Sequence, residues 1–316
     1  MKPYSSFVPS NYHHFSLQSY LIQRFPYHTS EEWSELIAQG KVKVNNFDSK
    51  SELILLTGDE VAYYPSNQNR EEPPIDKDFQ IIFENDSFLV INKPPNIPVH
   101  PAGRYRTNTL LNLLEAERGI GSCFPVHRLD RETSGVMLFA KKKEYQLMLQ
   151  SLFEKRQVSK KYEIFVFGEF PDFLIADGFI GKDPNSQIRK KQLFSYTNIH
   201  DFKEAYTSFT KIQYNPKTNI SHLLVQPKSG RIHQIRATLC SLNFPVVGDK
   251  LYGIRESAFI DFANGGASEA LTLELGHSRQ ALHASELEFE DPIASKSYHF
   301  KAKIFDDLCR FVVLSE

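Results

Sequence analysis

His127-Arg128-Leu129-Asp130-Arg131-Glu132-Thr133-Ser134-Gly135-Val136-Met137-Leu138-Phe139-Ala140-Lys141 is the stretch that decides the fold. Its second half is apolar from Val136 to Ala140, so a strand there has no face left for water and must be buried on both sides. Thr133-Ser134-Gly135 supplies turn chemistry just before it. The first half sets one carboxylate, Asp130, among His127, Arg128 and Arg131. Neighbouring cations favour the ionised form and lower its pKa. The adjoining core strand fixes the backbone that carries it, as in a functional loop on a rigid scaffold. An acid so placed suits a nucleophile better than a proton donor, although the residues alone also fit a solvated ion pair or a loop cap.

The chain has 316 residues, 41% of them hydrophobic and 24% charged, enough for one large domain or a medium domain with a small one. Cys123, Cys240 and Cys309 are far apart and unpaired in sequence, against a disulfide framework or a zinc site and in favour of a reducing, cytoplasmic setting. No run approaches the ~18 apolar residues needed to span a bilayer, and the N-terminus lacks a signal-peptide core. A net charge of −1 gives no overall nucleic-acid signature. The distribution is uneven: residues 31–72 lean acidic, whereas Arg128, Arg131, Lys141, Lys142, Lys143, Lys155, Arg156, Lys160 and Lys161 crowd residues 128–161. Such a run is a solvated face unless folding converges it into a groove for a phosphate backbone.

Working outward, residues 1–68 form a small unit. Helical patterns span Phe15–Phe25 and Ser30–Gln39, capped at Thr29 or Ser30 and closed by Gly40, followed by strands at Val42–Val44 and Glu60–Tyr63. Ser66–Asp78 reads as a linker, with residues 79–316 as the second domain. Ile81–Phe83 and Phe88–Ile91 form a hairpin, and the proline-rich Asn92–Pro101 stiffens the chain after it to wall one side of a site. Helices follow at Thr109–Arg118 and across Tyr145, Met148, Leu149, Leu152 and Phe153. Strands are expected at Ser159–Gly168, Tyr206–Tyr214 and His222–Gln226, while residues 171–205 read as an exposed loop or hairpin without assigned chemistry. Lys228–Arg236 opens a helix with Ile232, Ile235, Leu239 and Leu242 on one side. His277 and His283 lack a third ligand at metal-site spacing and read as satisfied histidines.

The string HRLD-x-x-TSG at His127–Gly135 resembles the signature of RluA-type RNA pseudouridine synthases. Further resemblances follow in order: NKP-x-x-x-x-VHP at Asn92–Pro101, K-x-Y at Lys160–Tyr162, GR-x-HQIR at Gly230–Arg236, Pro245–Gly253 and Gln280–Ala284. GKVKVNN at Gly40–Asn46 and LTGDEVAYYP at Leu56–Pro65 resemble a small S4-like, αL-type RNA-binding domain, although the helix faces that are usually basic there read Phe15-Ser16-Leu17-Gln18 and Thr29-Ser30-Glu31-Glu32. The resemblance implies an α+β fold with a mixed, largely antiparallel sheet, flanking helices and a central cleft. It implies Asp130 as catalytic carboxylate, Arg231 as its ion-pair partner and Tyr162 stacked on the target ring. Substrate contacts are expected from His127, Arg128, His233, Gln234 and Leu282, with Leu282 against the base and Arg128 filling the space left by an extruded uridine. The expected partner is ribosomal or transfer RNA, bound by a monomer, with no cofactor and no metal.

Turning uridine into its C-glycoside isomer consumes nothing, which suits a chain without a phosphate-binding loop, dinucleotide fingerprint or zinc-protease motif. One ionised aspartate can stabilise or trap the ribosyl cation, because uracil leaves as a stabilised anion. Two other readings stay open at this point: an inactive RNA-binding protein on the same scaffold, and a small-molecule glycosidase using Asp130 with Glu132.

Overall fold

The computed structural model describes residues 3–25, 28–64, 72–102, 105–118, 123–186, 188–199, 201–266 and 268–312. The chain divides into two compact units, Met1–Glu72 and Pro73–Glu316. Of the expected linker, residues 66–71 lie outside the described residues, as does Gln187 in the segment left without chemistry.

In the first unit, β1 (Tyr4–Phe7), α1 (Leu17–Arg24), α2 (Ser30–Ala38), β2 (Val42–Val44), β3 (Phe47–Asp48) and β4 (Glu60–Tyr63) follow one another, and the strands pair in the order β1-β4-β2-β3. The α2 helix starts where Thr29 accepts from the Glu32 amide while the Glu32 side chain accepts from the Thr29 amide, a reciprocal cap that satisfies two otherwise orphaned donors. Trp33, Tyr20, Leu17 and Leu55 fill the core beneath it.

The second unit contains β5 (Gln80–Glu84), β6 (Phe88–Lys93), α3 (Leu110–Arg118), β7 (Phe124–Pro125), β8 (Ser134–Ala140), α4 (Lys143–Glu154), β9 (Ser159–Phe167), β10 (Phe173–Lys182), β11 (Gln192–Ser195), β12 (Lys203–Asn215), β13 (Ile220–Pro227), α5 (Gln234–Ser241), α6 (Ser257–Gly265), α7 (Glu269–Leu275), β14 (Leu282–Asp291), β15 (Lys296–Lys301) and α8 (Asp306–Cys309). The strands form one sheet ordered β11-β10-β12-β13-β9-β14-β8-β6-β5, with β15 on β14 and β7 on β8. Its described pairings are antiparallel except the short parallel join of β14 to β8, so the sheet is mixed and largely antiparallel, with helices packed against it.

Every residue of β8 is buried. Val136, Leu138 and Ala140 face a core with α4 residues Leu149 and Leu152, whereas Met137 and Phe139 face another with α3 residues Leu110 and Leu114. This is the two-faced burial that its apolar run requires. The segment 171–205, open to reading as a loop or a hairpin, is a hairpin of β10 and β11 at the far edge of the sheet, followed by the start of β12.

The helix after Gly230 departs from expectation. It begins at Gln234, because His233 adopts a left-handed conformation (φ 54°, ψ 21°) that breaks the helical phase. Ile232 is consequently 68% exposed instead of joining Ile235 and Leu239 in the core.

Candidate active site

Asp130 lies on the loop entering β8, and that loop is held from two sides. From the end of β6 and the segment after it, the Lys93 ammonium donates to the carbonyls of Arg131 (3.0 Å) and Pro94 (2.7 Å), and the Ile97 amide donates to the Arg131 carbonyl (3.2 Å). Burial, with a smaller effect from Arg279, drops the Lys93 pKa to about 7. From the other side, Lys250 and the Gln280 amide bind the Glu132 carboxylate, Gln280 binds the Thr133 hydroxyl, and the Ser134 hydroxyl meets His283 Nδ1 at 3.0 Å. The His283 Nε2–H donates to the Ala302 carbonyl, so this histidine is spent on structure. The proline-rich segment thus clamps the loop as well as walling it. At the loop's end, Gly135 takes φ +116°, and a β-carbon there would sit 2.2 Å from the Ala284 carbonyl. Only glycine lets β14 come alongside β8 at this point.

Below the loop is a buried charge relay. Arg236, on the first turn of α5 and 7% exposed, donates from Nη1 to Asp130 Oδ2 at 2.7 Å. Its remaining edge grips Asp249 through Nε (2.6 Å) and Nη2 (2.8 Å). Asp249, fully buried, also accepts from the Leu251 and Tyr252 amides at 2.9 Å each. A guanidinium fork bridging two carboxylates is the geometry that makes arginine, and not lysine, fit such a place. Burial alone would raise the Asp130 pKa; Arg236, helped by His233 and Arg128, outweighs it and holds the acid below its usual range. The Asp130 side chain keeps 30% of its surface open, and Oδ1 has no partner at hydrogen-bond distance among the described residues.

Tyr162, on β9, pairs with Ala284 of β14, which in turn pairs with Gly135 of β8. Its phenol lies close enough to Asp130 to feel that carboxylate's charge. Burial, and then the Asp130 charge, push its pKa to about 12, so it keeps its proton at neutral pH.

Several expected site residues are placed otherwise. Arg231 does not pair with Asp130: its Nε donates to the Glu204 carbonyl at 3.0 Å at the protein surface, and Arg236 holds the acid instead. The left-handed turn at His233 separates the two arginines and aims only the later one inward. Gln234 has no capacity left for substrate, since it accepts from the Ser229 hydroxyl and the Arg231 amide and donates to the Tyr206 carbonyl and Thr207 hydroxyl. His127 is likewise structural: Nε2 accepts from the Leu138 amide at 3.2 Å, the ring stacks on Phe153, and burial lowers its pKa to about 3. Leu282 is 4% exposed and packs in the core with Ile164 and Val225. Arg128 is exposed beside the acid, its charge reaching Asp130 and His100. Asp249 and Tyr252 went unassigned although the matching Pro245–Gly253 string contains both; the string's fit was the available signal. No group of three potential metal-ligating side chains is present among the described residues.

Ionised, half-open and gripped on one oxygen, Asp130 can attack or support a carbon centre but cannot donate a proton.

Comparison with known proteins gives this geometry its setting. A solved human structure, RNA Pseudouridylate Synthase Domain Containing 1, superposes with TM-score 0.59 at 22% identity, covering 75% of this chain and 89% of its own. The fold is therefore that of a pseudouridine synthase. The RNA pseudouridylate synthase family profile matches residues 87–241. Ribosomal large subunit pseudouridine synthase D of Vibrio cholerae is 30% identical over 284 residues, 88% of this chain and 83% of that protein. The mitochondrial tRNA pseudouridine(32) synthase of Saccharomyces cerevisiae is 32% identical over 270 residues, covering 84% of this chain but 56% of its own length. The chain belongs to the RluA-type RNA pseudouridine synthase family. No helix among the described residues is long and apolar enough to cross a membrane.

Proposed function

We propose that this protein isomerises specific uridines in structured ribosomal or transfer RNA to pseudouridine, with Asp130 as the reacting carboxylate. The observation that carries the reading is the Arg236 bridge, which binds Asp130 through one oxygen and leaves the other without a hydrogen-bond partner among the described residues, on a side chain that stays 30% exposed. Isomerisation breaks the bond from ring nitrogen one to the sugar and rejoins the sugar to carbon five, whose hydrogen is given up while nitrogen one gains one. Atoms balance without a co-reactant. Asp130 stabilises or traps the sugar carbon as uracil leaves. Tyr162, protonated and flanking the acid, offers a ring face to the base and a hydroxyl to the sugar. The target must leave its stack at a cost of a few kcal/mol, and exposed Arg128 is placed to fill the gap. The first unit serves as a small S4-like RNA-binding module, with few cations to strengthen its grip.

The test uses total RNA from a strain deleted for the protein. Wild type should restore pseudouridine at discrete sites, and Asp130→Asn should bind the RNA and restore none. Equal product from both would sink the assignment. Product with wild type missing altogether would favour the inactive RNA-binding alternative.

A further inference from the structure

His233 stores backbone strain of order 1 kcal/mol or more in its left-handed conformation, and strain of this kind at the mouth of a site calls for a functional account. The conformation turns the imidazole edge between two partners. Nε2 lies 3.9 Å from Asp130 Oδ1, and Nδ1 lies 2.9 Å from the Tyr252 hydroxyl oxygen. The same hydroxyl oxygen accepts from the Gln192 amide at 2.8 Å. A phenol has one proton to give, and among the described residues Nδ1 is the acceptor at hand for it. Tyr252 therefore donates to Nδ1, which leaves the imidazole proton on Nε2, facing Asp130.

We propose that Tyr252 and the Gln192 amide lock His233 as the Nε2–H tautomer, and that His233 is thereby a positioning residue aiming the free oxygen of Asp130. The idea rests on the reading of Asp130 given above. Each state of the ring has a different effect on that oxygen. An imidazolium would close a full ion pair on Oδ1, and with Arg236 on Oδ2 both oxygens would be tied up. The Nδ1–H tautomer would point a lone pair at the carboxylate and turn it away. The neutral Nε2–H attracts Oδ1 at a distance beyond the 2.7–3.2 Å range of a hydrogen bond, so the oxygen is oriented and stays available. Burial of the ring and the nearby Arg236 keep it neutral, with a pKa of about 4. The Arg236 guanidinium 5.0 Å over the Tyr252 ring holds the phenol's own position.

The full chain labelled with 15N-histidine decides the tautomer without any RNA. Long-range proton–nitrogen correlation should show Nε2 of His233 protonated and Nδ1 bare, the signal being assigned by its loss in His233→Gln. In Tyr252→Phe the two tautomers should mix, and kcat on total RNA from the deletion strain should fall about tenfold with KM within twofold, the size expected for one neutral hydrogen bond. His233→Gln, which can place an amide N–H where Nε2–H stood, should keep more activity than His233→Leu. A proton on Nδ1 in the wild type, full kcat in folded Tyr252→Phe, or equal activity of His233→Gln and His233→Leu would each overturn the proposal. If Tyr252→Phe does not fold, the wild-type tautomer and the His233 pair still decide it. Equal pseudouridine from wild type and Asp130→Asn with the tautomer intact would mark failure of the functional reading, and His233 would then have nothing to aim.

Discussion

Arg231 and Arg236 lie five positions apart in one motif, yet they should respond to substitution in opposite ways. Arg236→Gln removes a guanidinium that donates to Asp130 once and to fully buried Asp249 twice. Asp249 would keep only its two amide donors against a full buried charge. Breaking a buried pair from one side costs about 3–5 kcal/mol. At roughly 2–4 °C per kcal/mol for a domain of this size, that corresponds to a melting temperature lower by about 6–20 °C. Catalysis should drop further than stability accounts for, because Asp130 loses the contact that keeps it ionised and oriented; about 100-fold or more in kcat/KM is the usual scale for removing such a group. Arg236→Lys should recover little, since a single ammonium cannot span both carboxylates. Arg231→Gln removes one exposed bond to a backbone carbonyl and should change stability by less than about 1 kcal/mol. The assays are thermal unfolding and initial-rate pseudouridine formation on total RNA from the deletion strain. An Arg236→Gln protein as stable and active as Arg231→Gln would refute the charge-relay argument.

Two further outcomes follow from the same geometry. Gly135→Ala puts a β-carbon 2.2 Å from the Ala284 carbonyl at φ +116°, so strain and clash together should cost of order 3–5 kcal/mol. A collapse in soluble yield or denaturant midpoint is expected, and an unchanged midpoint would show that the β8–β14 join is looser than described. Stability should also fall with mild acid. Burial lowers the pKa of His127 to about 3 and of His233 and His283 to about 4, against 6.5 for the ordinary group. Between about 4 and 6.5 the unfolded chain therefore binds protons that the folded one refuses, so stability declines as pH drops through that window, by up to roughly 2 kcal/mol per histidine at pH 5. Urea midpoints that stay flat from pH 7.5 to 5 would contradict the buried, neutral state of these rings.

What the letters alone determined is chiefly local. The run Val136–Ala140 had to be a strand buried on both faces, and a cap at Thr29 or Ser30 had to start a helix, because these depend on periodicity and on side chains a few residues apart; the structure settles the cap on Thr29. The position of the acid was legible in its motif, but what holds it ionised was not: of the cations beside it in sequence only Arg128 contributes, and less than Arg236 from 106 positions away. For residues 171–205 the letters left loop and hairpin open, and β10 with β11 is the hairpin; Gly178 and Gly181 interrupt the strand pattern because they leave gaps that Phe194 and Phe202 fill, a role that only the fold reveals. Tertiary structure alone chose Arg236 over Arg231. A single left-handed residue, His233, resets the helix, and no count along a sequence registers a change of φ. It also decided that His127 Nε2 and the whole Gln234 amide are spent inside the protein, because a hydrogen-bonding group is available to substrate only if nothing closer has claimed it. Asp249, 119 positions from Asp130, is joined to it by one guanidinium, a link that exists only once the chain has folded.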